Sequence, residues 1–265
     1  MKERLDTLLV SRGLFPSREK AKSAIMAGII YVDGQRVDKA GTGVKEDAEI
    51  FVKENTCPYV GRGGLKLEKA LKSFQLDLNG VIAVDIGAST GGFTDCMLKN
   101  GAAKVYAIDV GYGQLDWSLR NDPRVVNMEK VNIRYLDKER ITEKVDFISI
   151  DVSFISLKLV FPIAVDLLSQ EGNIICLVKP QFEAGREQVG KKGVIKDKMV
   201  HIEVLEKVIQ YGEDNGLYPQ GIDFSPMTGA KGNIEYLLLL NKILNPTDFK
   251  PLIEAVVKTA HEQLL

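Results

Sequence analysis

Two lysines and two acids, spread over most of the chain, stand beside short apolar runs or a glycine cluster: Lys66, Asp151, Lys179 and Glu235. Ammonium and carboxylate groups can hold and transfer protons when a fold brings them together. Asp151 and Lys179 each end an apolar run, whereas Glu235 opens one. If the run after Glu235 is an antiparallel strand, it begins at the sheet edge where the parallel strands end. We therefore predict that these four residues form one catalytic group.

A glycine-rich loop follows the apolar run at residues 81–86. Its glycines let the backbone approach a ligand and let the N-terminus of the next helix face that ligand. Asp109 ends the following run about 20 residues on, where an acid can bind ribose hydroxyls. The spacing Gly-x-x-x-Gly-Gly, from Gly87 to Gly92, differs from the Gly-x-Gly-x-x-Gly of dinucleotide-binding folds. It favours S-adenosylmethionine over NAD as the cofactor.

The segments that position these groups alternate between strand and helix. Strands are predicted at residues 81–86, 104–109, 124–127, 145–150, 172–178, 217–224 and 234–240. Helices are predicted at residues 64–74, 91–100, 155–168, 200–214 and 247–263. This alternation is typical of an α/β fold with a mainly parallel, doubly wound sheet.

The composition is that of a globular protein with 265 residues, 27% of them charged and 45% apolar. No apolar run approaches the ~18 residues that cross a bilayer, and the N-terminus lacks the apolar core of a secretion signal. We therefore expect a cytoplasmic protein with no membrane association. Three scattered cysteines and two histidines predict reduced thiols and no metal site. Because the net charge is only −1, any nucleic-acid binding must come from local basic patches.

A small separate domain is predicted at residues 1–56, followed by a linker at 57–63 and a larger domain at 64–265. A polar stretch and a glycine cluster interrupt the pattern at this boundary. Two amphipathic helices are predicted in the small domain, from Arg4 to Val10 and from Ser17 to Met26.

The second of these helices has an N-cap candidate in Ser17 and a stop signal in Gly28. A hairpin with an Asp33-Gly34 turn follows it. The elements Arg4-Leu5-Asp6, Gly13-Leu14, Ser17-Arg18, Ala21, Ile25, Gly28 and Val32-Asp33-Gly34 resemble those of the S4 RNA-binding domain. The resemblance implies that basic residues on or beside the second helix hold the phosphates of folded RNA. A solvated helix face is the alternative.

Residues 185–198 form a second basic stretch, which follows Lys179 in the sequence. We expect it to act as a mobile basic lid that closes over RNA, with a plain solvated loop as the alternative. The predicted RNA-binding residues are Arg4, Arg12, Arg18, Lys20, Lys22, Arg62, Arg186, Lys191 and Lys192.

The loop from Gly87 to Gly91 also matches the Gly-x-Ser-x-Gly nucleophile elbow of the α/β-hydrolases. A hydrolase needs a histidine, held by an acid, next to the nucleophile. His201 opens one predicted helix and His261 lies in another, so neither is expected on a loop at the sheet edge. The elbow would also follow the first strand of the sheet, which is too early for that fold. The pattern therefore disfavours a hydrolase.

Longer motifs cover most of the larger domain. They are Val60-Gly61-Arg62-Gly63-Gly64-Leu65-Lys66-Leu67, Asp85-Ile86-Gly87-Ala88-Ser89-Thr90-Gly91-Gly92-Phe93-Thr94-Asp95, Asp109-Val110-Gly111-Tyr112-Gly113-Gln114-Leu115, Asp151-Val152-Ser153-Phe154-Ile155-Ser156-Leu157, Val178-Lys179-Pro180-Gln181-Phe182-Glu183 and Gly232-Asn233-Ile234-Glu235-Tyr236. In these motifs and their order the chain resembles the TlyA family of ribosomal RNA cytidine 2′-O-methyltransferases, often labelled hemolysins, within the FtsJ-like methyltransferases. The resemblance implies a Rossmann-like class I methyltransferase fold. Its seven-stranded sheet would be mostly parallel with an antiparallel last strand.

The same resemblance implies a cofactor, a substrate and a set of site residues. S-adenosylmethionine would donate the methyl group, and ribosomal RNA or a ribosomal subunit would receive it. The family's Lys-Asp-Lys-Glu tetrad falls on Lys66, Asp151, Lys179 and Glu235. The predicted cofactor-binding residues are Asp85, Gly87, Ala88, Ser89, Thr90, Gly91, Gly92, Phe93, Asp109, Val110, Asn132 and Asp151. Asn132 is included because it follows the third strand, where the adenine end of the cofactor usually lies, and a polar turn is the alternative there. In the linker, residues 57–60 depart from the more basic, tryptophan-containing tetrapeptide that relatives can carry.

Two roles for Lys179 are open at this point. A ribose 2′-hydroxyl is a weak nucleophile that loses its proton as it attacks. A lysine can accept that proton when burial and neighbouring positive charge tune it for the task, and Lys66 would supply such a charge. Alternatively, Lys179 stays charged and stabilises the developing alkoxide while water takes the proton.

Three other functions fit parts of the pattern. A base-directed N-methyltransferase would carry Asp-Pro-Pro-Tyr/Phe where this chain has Asp151-Val152-Ser153-Phe154, without either proline. A cytolysin, as the hemolysin label suggests, would be expected to show a signal, a spanning segment or long alternating strands. The sequence pattern predicts none of these, which disfavours a cytolysin. An S4 protein that binds ribosomes through an inactive methyltransferase fold is disfavoured by the intact tetrad.

Overall fold

Two compact units make up the chain in the computed structural model, Met1–Pro58 and Tyr59–Leu265. The structure describes residues 2–26, 28–53, 57–190 and 193–264. Each unit encloses an apolar core of its own.

The N-terminal unit combines helices α1 (Leu5–Ser11) and α2 (Arg18–Met26) with short antiparallel strands. The strands are β1 (Lys2–Arg4), β2 (Ile30–Val32), β3 (Gln35–Arg36), β4 (Gly43–Lys45) and β5 (Ile50–Val52). β1 pairs with β4, and β2 lies between β3 and β5. The helices bury Leu5, Leu9 and Ile25 completely. This small core is what holds the sheets and helices of the unit together.

Two local features predicted for this unit are confirmed, the N-cap of α2 and the hairpin turn after β2. Ser17 Oγ accepts a hydrogen bond of 3.3 Å from the backbone N–H of Lys20, as an N-cap does. Asp33 and Gly34 have φ angles of 50° and 77°, as a two-residue type I′ hairpin turn requires. The first helix begins one residue later than expected, because Arg4 ends a strand that pairs with Gly43.

Seven strands form one sheet in the described residues of the C-terminal unit. They are β6 (Ile82–Ile86), β7 (Lys104–Asp109), β8 (Val125–Glu129), β9 (Val145–Ile150), β10 (Leu168–Val178), β11 (Tyr218–Phe224) and β12 (Tyr236–Asn241). The strand order is β11-β12-β10-β9-β6-β7-β8. β12 is antiparallel to both neighbours, and the other pairings are parallel. The predicted mostly parallel sheet with an antiparallel last strand is therefore confirmed.

Helices accompany this sheet, and the strands between them are buried. The helices are α3 (Gly63–Ser73), α4 (Gly92–Lys99), α5 (Trp117–Arg120), α6 (Phe161–Leu167), α7 (Pro180–Glu183), α8 (Lys198–Glu213) and α9 (Lys250–Leu264). Ile148, Ile174 and Leu238, from three neighbouring strands, are fully buried. Burial of each such side chain contributes about 1.5–3 kcal/mol to the free energy of folding, so the sheet holds the loops at its edge in fixed positions.

The predicted helix at residues 155–168 is wrong in its extent. Residues 157–159 form a 3₁₀ turn, and α6 begins only at Phe161. Pro162 lacks a backbone N–H and fits only the first turn of a helix, so the helix cannot begin much earlier. It ends at Leu167 because Leu168 already pairs with Val145 of β9, ahead of an irregularity in β10.

The register of the sheet brings the candidate residues to one edge. Ile150 of β9 pairs with Ile86 and with Cys176, and Val178 of β10 pairs with Tyr236 of β12. The next residues outward are Gly87, Asp151, Lys179 and Glu235. Because β12 runs in the opposite direction, its first residues lie where the parallel strands end, as predicted from the sequence.

Candidate active site

Lys179 follows β10 directly and is held by two groups from the loop after β9. Its Nζ lies 2.5 Å from Asp151 Oδ1 and donates a hydrogen bond of 3.2 Å to Ser153 Oγ. The Lys179 side chain is 9% exposed and that of Asp151 is 20% exposed. Such shielding from water makes the attraction between the two charges strong and their relative position well defined. The ammonium group is therefore held in place at the sheet edge.

Lys66 and Glu235 form the second ion pair. Lys66 lies in the first turn of α3 and donates to Glu235 Oε2 at 2.5 Å. The two side chains are 13% and 4% exposed. A Cβ at Gly229 would lie 1.9 Å from Glu235 Oε1, so only glycine leaves room for the carboxylate there. Together with the cross-strand position of Glu235 beside Lys179, this contact joins all four predicted residues at one edge.

A cavity of about 720 Å³ opens at the ends of β6, β7 and β9. Of the predicted cofactor-binding residues, its wall contains Gly87, Ser89, Asp109, Val110, Asn132 and Asp151. Asp151 thus belongs both to the cavity wall and to the ion pair with Lys179. A ligand in the cavity would lie directly beside the charged edge.

The backbone at the mouth of this cavity depends on Gly87 and on a strained turn. Gly87 has a φ of 90°, and a Cβ there would lie 2.4 Å from the carbonyl oxygen of Asp151. Ser89 also has a positive φ, 50°. Its N–H donates to Asp109 Oδ2 at 2.8 Å, and the N–H of Gly111 donates to Asp109 Oδ1 at 2.6 Å. Each carboxylate oxygen keeps a second lone pair, with which Asp109 can still accept hydroxyl groups of a ligand.

Asp85 lies behind the cavity wall rather than in it. It is completely buried and accepts hydrogen bonds from Thr94 Oγ1 at 2.6 Å and Ser149 Oγ at 3.0 Å. Burial raises the pKa of this carboxyl to about 6. Asp85 therefore ties β6 to α4 and β9, and contributes to the site through the backbone that it holds.

The remaining predicted loop residues are also outside the cavity wall: Ala88, Thr90, Gly91, Gly92 and Phe93. Gly92 is required for close packing, since a Cβ there would lie 2.9 Å from the backbone nitrogen of Gly64 in α3. Apart from the exposed Thr90, these residues are buried and shape the loop.

Several wall residues were not predicted as cofactor ligands, among them Gln114, Ser153, Phe154 and Ser156. Phe154 is 90% exposed, has a φ of 64°, and its ring centroid lies 4.9 Å from that of Phe182. Both aromatic residues lie within motifs noted in the sequence, but the spacing of those motifs does not show which side chains face a ligand.

The predicted RNA-binding arginines of the N-terminal unit have partners within that unit. Arg4 and Arg18 lie 3.0 and 2.9 Å from the carboxylate of Asp6, and their own side chains are 55% and 53% exposed. The two guanidinium groups hold the pKa of the Asp6 carboxyl well below its usual range, with the hydrogen bond from Arg4 as the largest cause. Arg12 donates to the carbonyl oxygens of Glu46 and Ala48 and so ties the end of α1 to that turn.

The other predicted RNA-binding residues are placed as follows. Lys20 and Lys22 are exposed on α2, and Arg62 is exposed just before α3. Arg186 begins a 3₁₀ turn. Lys191 and Lys192 lie outside the described residues.

The second half of the predicted lid, from Gly193 onward, is hydrogen-bonded to a residue near the active site. Asn233 donates to the carbonyl oxygen of Gly193 at 2.9 Å and accepts from the N–H of Ile195 at 3.2 Å. Asn233 is only two residues before Glu235, so this end of the stretch is joined to the charged edge.

Neither histidine serves Ser89. His201 is buried, its Nδ1 lies 2.6 Å from the hydroxyl of Tyr236, and its Nε2 lies 3.2 Å from the carbonyl oxygen of Ile195. Desolvation lowers the pKa of His201 to about 4. His261 contacts His201 at 3.2 Å. The hydrolase interpretation therefore lacks its base.

In the parts of the chain that the structure describes, no cluster of histidine, cysteine and acidic side chains is arranged to bind a metal ion. A search of the same residues found no helix with both the length and the apolar character needed to span a bilayer.

Comparison with known proteins identifies a family for each of the two units. The family model of FtsJ-like methyltransferases matches residues 59–242, and that of the S4 domain matches residues 3–50. A Bacillus subtilis (strain 168) protein named "Putative rRNA methyltransferase YqxC" is 54% identical over 91% of this chain and 86% of its own. The "16S/23S rRNA (cytidine-2′-O)-methyltransferase TlyA" of Mycobacterium tuberculosis is 44% identical over 89% of both chains.

A solved structure shows the same likeness over the full length. A "Putative hemolysin" from Streptococcus thermophilus covers 99% of this chain and 96% of its own, with a TM-score of 0.79 and 48% identity. The predicted family and fold class are thereby confirmed. The chain belongs to the FtsJ-like methyltransferases, among the TlyA and hemolysin A relatives that carry an S4 domain as well.

Proposed function

We propose that this protein transfers a methyl group from S-adenosylmethionine to the ribose 2′-hydroxyl of a cytidine in ribosomal RNA. The observation that supports it best is the position of Asp151, which lines the cavity and pairs with Lys179. One residue thus joins a cofactor-sized pocket to a held ammonium group at the point where donor and acceptor would meet. The names of the relatives support the choice of substrate.

The residues of the cavity fit S-adenosylmethionine. A volume of about 720 Å³ is in the range of cofactor pockets. Asp109, at the end of β7, offers carboxylate oxygens to ribose hydroxyls, and Asn132 and Ile133 line the cavity beyond β8. Gly87 lines the cavity, and its lack of a side chain lets the backbone there pack against the carbonyl oxygen of Asp151. When bound, the cofactor supplies an electrophilic methyl group.

The residues of the charged edge then act on the acceptor. As the 2′-oxygen forms its bond to the methyl carbon, the bond from that carbon to the cofactor's sulfur would break, and its electron pair would stay on the sulfur as a neutral thioether. The hydroxyl proton is lost in the same step, so negative charge develops on the oxygen. Lys179 stabilises that charge while Asp151 and Ser153 hold its ammonium group in position. The ion pair with Asp151 supports this charged role over that of a general base, so water takes the proton. Lys66, held by Glu235, adds positive charge at the same edge.

The N-terminal unit docks the RNA. We assign this role to residues 1–56, with residues 57–63 as the linker to the catalytic domain. The half-exposed guanidinium groups of Arg4 and Arg18, and the exposed Lys20 and Lys22 on α2, can neutralise phosphates. A protein that acts on ribosomal RNA, free or in subunits, is expected to work in the cytoplasm.

The direct test is to identify the methylated nucleoside. Purified protein is incubated with S-adenosylmethionine carrying a labelled methyl group and with unmodified ribosomal RNA or subunits. The RNA is then digested to nucleosides and separated by mass spectrometry. We expect labelled 2′-O-methylcytidine. A label on a base, or no transfer to any ribosomal RNA or subunit, would contradict the proposal.

The cofactor site has a test of its own. Asp109→Ala should weaken S-adenosylmethionine binding by about 1–3 kcal/mol, the scale of lost hydrogen bonds to a charged group. Isothermal calorimetry on the folded variant measures this, with Asp122→Ala as a control outside the cavity wall. Unchanged affinity in Asp109→Ala would remove this residue from the cofactor site.

A further inference from the structure

Two segments carry the groups that meet at the charged edge. The first, which we call the Asp151 loop, comprises residues 151–157 and supplies Asp151 and Ser153 to Lys179. The same loop forms the wall of the cavity from Asp151 to Ser156. The second segment is Lys179 with the short helix α7 that follows it. The distance between these two segments sets the ion pair, and the position of the Asp151 loop sets part of the cavity wall.

Glu183, at the end of α7, joins the two segments. Its Oε2 accepts a hydrogen bond from Ser156 Oγ at 2.6 Å, and its Oε1 accepts from the N–H of Leu157 at 2.8 Å. Lys207 of α8 donates to the backbone carbonyl oxygen of Glu183 at 3.1 Å. The second segment is thus fastened to α8 on one side and to the far end of the Asp151 loop on the other.

The surroundings of this carboxylate are unusual for a group that serves only to pack the core. Glu183 is 6% exposed, and its two side-chain bonds come from neutral donors. Burial raises the pKa of the Glu183 carboxyl, with opposing contributions from Ser156, Leu157 and the Lys207 ammonium group. An apolar residue would fill the same space without the cost of burying an acid. What the carboxylate adds is a pair of acceptors that fix the loop at two adjacent residues.

We propose that Glu183 is a positioning residue that locks the Asp151 loop against the Lys179 segment. The lock keeps Asp151 and Ser153 at Lys179 and keeps the loop at the cavity wall. Glu183 itself touches neither the cofactor nor the acceptor. The catalytic part of this inference rests on the proposed methyl transfer, whereas the lock itself is a property of the fold.

The lock can be tested without any reaction. In Glu183→Ala the N–H of Leu157 loses its acceptor, so hydrogen exchange should rise in the Asp151 loop by at least about tenfold and stay unchanged in α9. Glu183→Gln keeps one carbonyl oxygen and should give a smaller rise, which also serves if the alanine variant folds poorly. Glu206→Ala, an exposed acid on α8, is the matched control. Unaltered exchange in the loop of both Glu183 variants would overturn the proposal.

The rate of methyl transfer tests the consequence. At saturating cofactor and RNA, Glu183→Ala should lower the single-turnover rate by about tenfold or more, since small displacements at a reacting centre have effects of this size or larger. The Kd for RNA should stay within about twofold. Ser156→Ala should give a smaller loss, and the double variant should be no slower than Glu183→Ala, because both changes remove the same contact.

The outcomes separate this inference from the proposed function. If the wild type methylates ribose and Glu183→Ala reacts at a normal rate, or if the two losses multiply, the positioning role is wrong. If the wild type transfers no methyl group to ribose but the loop exchange rises in Glu183→Ala, the proposed function fails and the lock stands.

Discussion

Basic and acidic side chains cluster in both units, but the basic side chains are exposed in the N-terminal unit and mostly buried in the C-terminal unit. Around Asp6 in the N-terminal unit, the acid is buried and the two arginine side chains are more than half exposed. At the charged edge of the C-terminal unit, both members of each lysine–acid pair are mostly buried. The acid of the first cluster orients cations that still face solvent, whereas the acids of the second hold cations at fixed points.

This difference matches two tasks that RNA modification sets. An extended polyanion is bound by cations that face solvent and exchange with counterions. A single reacting oxygen instead needs a charge whose position costs no reorganisation during the reaction. Under the proposed function, the same residue types would serve RNA docking in one unit and chemistry in the other, because their burial differs.

The largest expected contrast is in stability. Glu235→Gln leaves the mostly buried Lys66 ammonium group without its partner and should cost about 3–5 kcal/mol. Asp6→Asn leaves guanidinium groups that water can reach and should cost about 1–3 kcal/mol. Hydrogen exchange measures each unit separately. Equal losses in the two variants would break the comparison.

Catalytic rate should separate the clusters next. Lys179→Ala should lower single-turnover methylation at saturating RNA by at least ~10²-fold, the scale of a lost electrostatic stabiliser. Lys179→Arg should not restore the rate, because its wider planar head fits a point-charge site badly. Lys258→Ala, on the exposed side of α9, is the control. A near-normal rate in Lys179→Ala would refute the catalytic role of the edge.

The smallest effect is expected on α2. Replacing both Lys20 and Lys22 by alanine should weaken RNA binding by about tenfold near 0.1 M salt. It should also reduce the magnitude of the negative slope of log K against log salt by about two. The single-turnover rate at saturating RNA should not change. Ser23→Ala on the same helix controls for the substitution itself. Filter binding at several salt concentrations gives the slope, and an unaltered slope would show that these lysines contact no phosphates.

Sequence alone was enough to predict the gathering of the charges. Apolar runs that end in Asp151 and Lys179, and one that begins at Glu235, determine the edge once the strand directions are known. Which lysine pairs with which acid could not be predicted, because Lys66 reaches Glu235 across 169 positions of sequence. For the same reason, the sequence could not predict that Arg12 donates hydrogen bonds to carbonyl oxygens more than 30 positions away.

Other parts were missed because burial is decided by the fold. Asp85 looked like a ligand-binding acid beside the glycine loop, yet Thr94 and Ser149 surround it in the interior. Glu183 lies in one of the motifs and Ser156 and Leu157 in another, but nothing in the sequence indicated that the two motifs are joined by hydrogen bonds. Spacing within a motif does not say which of its side chains turn inward.

The contact between Gly87 and the carbonyl oxygen of Asp151 has a consequence for how the gene tolerates mutation. A side chain as small as a methyl group at position 87 would push apart the loop that lines the pocket and the loop that holds Lys179. A single missense change there would therefore remove both halves of the activity in one step. Loss of one solvent-facing cation on α2 would lower the activity only slightly. Among variants that have lost this activity, substitutions at position 87 should therefore be found more often than substitutions of the exposed lysines on α2.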